Sequence, residues 1–177
     1  NSFLIDYIGK KIFPEHISIV ENPDISEGLG TRPFDGEGVK TFTKPIVESG
    51  VLDTYLLDTY SAKQLKLKST ANSGYSNIHI NSSKDINENI IESLDEGVLI
   101  TEMMGSGANL LTGDYSRGAF GYLIKNGKIS HPVTNFTIAS NMLDMFKNIS
   151  EIGSDYYQNS KITCGSVLIN DMTIGGN

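Results

Sequence analysis

Cysteine is almost missing from these 177 residues: Cys164 stands alone, so no internal disulfide can staple the chain, and a reducing cytoplasm is the expected compartment. Positive charge is also in deficit. Fourteen lysines and arginines face 21 aspartates and glutamates, a formal net charge of −7, which argues against a nucleic-acid partner, since phosphate binding requires a basic face. Only Arg32 and Arg117 are arginines; the lysines are scattered, with Lys10–Lys11 and the trio Lys63, Lys66 and Lys68 as loose clusters that read as solvated faces. No apolar run approaches the roughly 18 residues of a membrane span, and no signal-peptide pattern opens the chain. A soluble protein with no membrane partner is expected.

Familiar catalytic patterns are missing as well. A hydrolytic zinc site commonly uses two histidines one helical turn apart with a glutamate beside them, so that metal-bound water is polarised and deprotonated. His16, His79 and His131 are far apart in sequence, and each reads as structural. There is no Gly-x-Ser-x-Gly elbow for a hydrolase serine. Gly105-Ser106-Gly107 lacks the lysine and following helix of a phosphate loop and reads as a flexible turn. The chain has no fixed-period repeat, no low-complexity tract and no interdomain linker.

What is present is a strand-rich pattern. Leu4, Ile8 and Ile12 at helical spacing, stopped by Pro14, predict a helix, and the alternation of residues 16–21 predicts a strand. Pro45–Glu48, a Ser49-Gly50 turn and Val51–Leu57 predict a hairpin, followed by a short helix over Ala62–Leu67, a polar loop over Ser69–Asn77 and a strand at Ile78–Ile80. A further helix is predicted from an Asp85 cap, with Glu88 three residues on, through Ile86, Ile90, Ile91 and Leu94 to a closing Gly97, with Val98–Ile100 as a buried strand and Ile90 and Leu99 as core positions. Asn141 is expected to cap a helix that places Met142, Met145, Phe146 and Ile149 on one face, and Ser166–Ile169 and Met172–Ile174 close the chain as strands. Short hairpin connections outnumber helical crossovers, so the fold class is α+β with a largely antiparallel sheet and a few short helices.

The most unusual stretch is Thr112-Gly113-Asp114-Tyr115-Ser116-Arg117-Gly118. Two glycines bracket an acid, a phenol, a hydroxyl and an arginine, ahead of an alternating strand, the turn pair Asn126-Gly127, and a strand running through His131-Pro132-Val133. A polar, glycine-framed loop feeding a hairpin is a place where backbone can approach a ligand closely. Gly113, Asp114, Tyr115, Ser116, Arg117 and Gly118 are therefore the candidate substrate-binding residues. Arg117 either forks onto a peptide carbonyl or carboxylate, or pairs internally with Asp114 to fix the loop; Tyr115 either joins the site or simply packs. Ala119 and Gly121 leave one face of the next strand almost bare, open to a neighbouring element or to an extended peptide that adds as a strand.

These residues resemble the C-terminal domain of the PmbA (TldE) proteins of the TldD/PmbA metallopeptidase family. The likeness rests on Gly113–Ala119, the Asn126-Gly127 hairpin and His131-Pro132-Val133. It extends to Pro33–Val39, Tyr60–Lys63 with Leu67–Thr70, Thr101–Gly105, and Cys164–Ile169 through Gly175-Gly176. The resemblance implies a barrel-like β domain and a cytoplasmic assembly in which a TldD-like subunit carries the zinc, this chain pairs with it and carries none, and extended peptides are the substrate. Such assemblies mature microcin precursors and degrade small unfolded polypeptides such as antitoxins. In the TldD-like branch a cysteine near the C-terminus joins two histidines on the metal, but the residues after Cys164 do not match that branch, and a small buried thiol is the competing reading.

No catalytic and no metal-ligating residue is expected in this chain. Residues 1–177 are expected to form a single C-terminal domain of a longer protein whose N-terminal part is absent here. The alternatives are a non-catalytic peptide-binding or scaffold module, and the remnant of a degraded gene, the last suggested by 21 isoleucines, 15 asparagines and 12 lysines against two arginines.

Overall fold

A computed structural model gives the structure of the protein and describes residues 2–83 and 90–176. Among these the strands are β1 (Ile19–Asn22), β2 (Lys44–Glu48), β3 (Val51–Leu52), β4 (Asn77–Ile80), β5 (Glu96–Met104) and β6 (Asp114–Lys125). They continue as β7 (Lys128–Asn141), β8 (Ile149–Ile152), β9 (Ile162–Thr163), β10 (Val167–Ile169) and β11 (Thr173–Gly175). Two helices, α1 (Thr59–Leu65) and α2 (Met142–Lys147), and a 3-10 turn at Ile90–Ser93 complete the set.

The strands form a five-stranded sheet in the order β3-β2-β1-β4-β9, a four-stranded sheet in the order β11-β7-β6-β5, and the separate pair β10-β8. Every pairing is antiparallel except β4 with β9, so the α+β, largely antiparallel expectation holds. The barrel does not. Among the described residues β3 and β9 are the edges of one sheet and β11 and β5 of the other, and neither sheet closes on itself. Both predicted hairpin turns form because they suit the right-handed twist of the strands, although the strand predicted over Val51–Leu57 is only Val51–Leu52. Ser49 and Gly50 have φ of 48° and 81°, and Asn126 and Gly127 have 49° and 71°, as two-residue hairpin turns require.

The helix expected at the start of the chain is replaced by successive turns. Tyr7 N–H donates to Leu4 O at 3.1 Å and Lys10 N–H to Tyr7 O at 2.9 Å, but Asp6 and Gly9 have φ of 68° and 75°, which no α-helix accommodates. Ile12 is buried by this path. It joins Phe13, Ile17, Val47, Leu52 and Ile152 in the main core, where each large side chain contributes roughly 1.5–3 kcal/mol, and Phe13 stacks on Phe146 with centroids 4.5 Å apart. A smaller cluster, Ala119 of β6 with Phe136 and Ile138 of β7, belongs to the four-stranded sheet.

Three further expectations change. The first part of the helix predicted from Asp85, with Ile86 and Glu88, lies outside the described residues; Ile90 and Ile91 belong to the 3-10 turn, and Gly97 sits within β5 instead of capping a helix. Ile90 and Leu99 are only half-buried, so the deepest packing is around Ile12 and Val47 and not there. Asn141 does cap α2, its Oδ1 accepting from Leu143 N–H at 3.0 Å. The helix ends at Lys147, however, and Leu143 and Phe146 meet the core, with Ile149 already in β8.

Candidate functional site

The Gly113–Gly118 stretch is not a loop. Asp114 opens β6, which pairs with β7 from Asp114↔Asn141 to Gly118↔Thr137 and meets β5 at Gly118↔Met104. Backbone partners on both sides outweigh the turn-like composition. Gly113, with φ of 82°, makes the bend: its N–H donates to Asn109 O at 2.8 Å and its carbonyl accepts from Met142 N–H at 2.6 Å. Strand alternation then puts Asp114, Ser116 and Gly118 on one face and Tyr115 and Arg117 on the other, with Asp114 and Ser116 exposed.

Arg117 does not pair with Asp114. The Asp114 carboxylate accepts from Thr112 Oγ1 at 2.6 Å. The Arg117 guanidinium reaches instead across to the end of β5: Nε donates to Met104 O at 3.4 Å, and Nη2 to Met103 O at 3.5 Å and to Gly105 O. One planar fork thus gathers three carbonyls of the glycine turn, which suits guanidinium geometry. Tyr115 Oη donates to Met103 Sδ at 3.2 Å, tying the same segment down. The turn closes on β6, with Gly107 O accepting from Ser116 N–H at 2.9 Å. A Cβ on Gly107 would sit 1.9 Å from Ser116 O, whereas one on Gly118 would meet only the mobile end of Met104 at 2.9 Å. The bare face at Ala119 and Gly121 is taken by a neighbouring element, since a Cβ on Gly121 would lie 1.9 Å from Leu99 O in β5.

A second polar constellation joins segments that local spacing does not connect. Glu21 on β1 and Lys44 on β2 are directly opposite and only 1% and 4% exposed, with Nζ to Oε2 at 2.8 Å. Glu21 also accepts from Asn72 Nδ2 at 2.8 Å, Ser76 N–H at 2.6 Å and Ser76 Oγ at 2.8 Å. Burial pushes the Glu21 carboxyl up, but these bonds, that of Lys44 foremost, outweigh it and hold the carboxyl below its usual range. Loop 69–77, pinned in this way, meets the Pro33–Val39 motif. Ser73 N–H donates to Asp35 Oδ2 at 3.1 Å, and Glu37 and Val39 N–H both donate to Asp35 Oδ1 at 2.9 Å. Burial opposes ionisation of Asp35, and the three backbone donors win, leaving its carboxyl lowered. Glu37 Oε2 then accepts from Thr59 N–H at 2.8 Å, so the motif reaches α1. The glycine-rich spelling of Pro33–Val39 marks this site in the sequence; nothing local marks Glu21 or Lys44.

Among the described residues no three of His, Cys, Asp or Glu are placed to hold a metal. His16 precedes β1, His79 lies on β4 with its Nδ1 2.8 Å from Thr163 Oγ1, and His131 lies on β7 beside Ser130. Cys164 packs against the main core, where burial, followed by the nearby Asp155 charge, pushes its thiol up. It is a poor thiolate donor.

Residues 1–176 match the family model described as the PmbA/TldA metallopeptidase C-terminal domain. The chain is 43% identical to the metalloprotease PmbA homolog of Buchnera aphidicola subsp. Acyrthosiphon pisum (strain APS), over 100% of this chain and 40% of that protein. It is likewise 43% identical to the metalloprotease PmbA of Escherichia coli O157:H7, over 99% of this chain and 39% of that protein. A crystal structure of a protein from Bacteroides thetaiotaomicron VPI-5482 superposes with a TM-score of 0.94 at 31% identity, covering 100% of this chain and 40% of the other. The chain therefore spans about two fifths of the length of these relatives. With sequence and fold in agreement, the chain belongs to the PmbA/TldD metallopeptidase family, on its PmbA side.

Proposed function

We propose that this chain is the PmbA-side part of a two-subunit zinc metallopeptidase of the cytoplasm, in which a TldD-like subunit holds the metal. Its substrates are small unfolded polypeptides, microcin precursors and antitoxins among them, taken up in extended form. The observation that carries this reading is a conjunction. Identity of 43% to proteins named metalloprotease PmbA and metalloprotease PmbA homolog comes with three histidines on separate segments and a half-buried cysteine packed against the core. The zinc chemistry then belongs to the partner, and this chain's residues bind and orient.

Within that reading, Gly113 to Gly118 form part of the wall along which the peptide runs. Asp114 and Ser116 offer an acceptor and a hydroxyl on the exposed face of β6, and Gly118, without a Cβ, keeps that face low. Arg117 acts through the turn it holds. The test is reconstitution of the full-length protein with a TldD-like subunit, followed by elemental analysis of each and a peptide hydrolysis assay. Zinc in the partner alone and hydrolysis only by the mixture are expected. One tightly held zinc per PmbA-side chain would overturn the assignment, and peptide binding without turnover by the mixture would favour the scaffold reading.

A further inference from the structure

We infer that the cleft between β5 and β10 is a second binding site, one that takes the amino-terminal end of an extended polypeptide whose first residues are apolar. None of Gly113 to Gly118 lines it, and binding there requires neither metal nor turnover, so it stands apart from the two-subunit reading. The first observation is the cavity itself. Its volume is about 540 Å³, and it lies between Val98, Leu99 and Ile100 of β5 and Val167 and Leu168 of β10. That is within the range of sites that hold a small ligand. Apolar side chains, from Ile90 and Leu94 to the buried Ile124 of β6, complete most of its lining.

The second observation is the cavity's single charge. Among the described residues Asp155 is the one ionisable side chain on the lining, and the ion pairs Lys11–Glu15 and Lys44–Glu21 both lie elsewhere. Asp155 Oδ2 accepts from Ser166 Oγ at 2.6 Å, and Oδ1 from Ser166 N–H at 2.7 Å. The Ser166 hydroxyl and then its N–H hold the carboxyl below its ordinary range against the opposing effect of burial, so it is an anion at neutral pH. Gly153 N–H in turn donates to Ser166 O at 2.8 Å, and a Cβ on Gly165 would sit 1.9 Å from Gly153 O. The carboxylate is thus fixed on a tight backbone crossing beside Ser166, at the end of the lining where β10 begins. Its oxygens keep lone pairs for a further donor, and an ammonium is the complement that this lining lacks.

The third observation is a pair of open strand edges. Among the described residues β5 pairs only with β6 and β10 only with β8, so each has one edge without a strand partner. Successive side chains of a strand point to opposite faces. A cavity lined by Val98, Leu99 and Ile100 together therefore reaches the backbone edge of β5. Open edges offer main-chain donors and acceptors to an added strand, which a polypeptide can use and a simple alkylamine cannot. The apolar lining receives the side chains. The anion stands at one end of the cleft, where the first residue of a chain meets it.

The test is isothermal titration calorimetry on the full-length protein alone, with EDTA present so that the result does not depend on which chain holds zinc. The probes are Leu-Val-Leu-Ser amide, its N-acetylated form, Ser-Asn-Ser-Asn amide and hexylamine. Leu-Val-Leu-Ser amide is expected to bind about tenfold more tightly than its acetylated form, through one charge-assisted contact, and more tightly than the other two probes. Asp155→Asn should bring the free-amine peptide down to the affinity of the acetylated one. Unchanged affinity for the acetylated peptide shows that the cleft is still folded. Ser154→Lys, which sets an ammonium beside Asp155 and removes none of its bonds, should have the same effect, and it decides the matter where Asp155→Asn does not fold. Val167→Trp, which fills the cleft, should weaken both peptides. Equal binding of the free-amine and acetylated peptides would overturn the inference, as would full binding of the free-amine peptide by folded Asp155→Asn or by Ser154→Lys. Hexylamine binding as tightly as Leu-Val-Leu-Ser amide would also overturn it, because the strand edges would then contribute nothing.

Discussion

Glu21 and Lys44 show how much one registered residue pair can organise. Removing one partner strands the other charge in a place almost without water, and Glu21→Gln should destabilise by about 3–5 kcal/mol at pH 7 in urea titrations. Replacing both with methionine should cost less than either single change. The pH dependence has a definite sign. The Glu21 carboxyl lies below its ordinary value of 4.5 in the folded protein, so its stabilisation is complete above that value and disappears as pH falls through the lowered one. The gap between wild type and Glu21→Gln should therefore close on acidification; a gap constant from pH 7 to pH 3 would rule out this account. Arg117 gives a second prediction at this scale. Arg117→Ala should cost about 1–2 kcal/mol through lost bonds to three carbonyls and speed amide exchange around residues 103–107. Lys at this position should not restore protection, because an ammonium cannot span the same fork. The sequence could say that Arg117 was special, but not whom it serves: the choice between Asp114 and a carbonyl is made by strand alternation, which places residues 114 and 117 on opposite faces once β6 is known to be a strand.

At the scale of elements, the β5–β6 pairing is the tightest constraint near the candidate site. Leu99 O lies where a Cβ of Gly121 would be, 1.9 Å away, and both strands shift register close by. Backbone cannot yield as a side-chain tip can, so Gly121→Ala should cost about 1–3 kcal/mol or more by prying the strands apart. Gly118→Ala, which meets only the end of Met104, should stay within about 0.5 kcal/mol. Urea denaturation of the two variants side by side decides this, and equal losses would mean that the β5–β6 register is misassigned. The hairpins were readable in advance because Ser49-Gly50 and Asn126-Gly127 carry their conformation locally, as does the Asn141 cap. The helix over Leu4–Ile12 was not, because an apolar spacing of four is also met by a chain of turns, and only the positive φ at Asp6 and Gly9 distinguishes them. Likewise the polar content of Thr112–Gly118 suggested a loop where long-range pairing with β7 makes a strand.

For the whole molecule, two polar regions stand out that the motifs of the family resemblance had marked separately. Pro33–Val39 and loop 69–77 are locked together by Asp35 and Ser73, and Thr101–Gly105 is locked to Gly113–Gly118 by Arg117. The polar bonds in each tie two chain segments together, part-buried around Asp35 and exposed around Arg117. Under the proposed two-subunit reading, such surfaces would present a fixed shape to a partner and a peptide. The consequence can be measured in the assembled enzyme. Arg117→Ala should lower kcat/KM for peptide hydrolysis by the complex with a TldD-like subunit, and Asp114→Asn with Ser116→Ala should raise KM with kcat nearly unchanged, because uniform binding is lost while the zinc site is untouched. Zinc content of the partner should be the same in every case. If both sets of variants hydrolyse peptide as wild type does, while pull-down shows the complex intact, the strand from Gly113 to Gly118 is structural and the peptide takes another path.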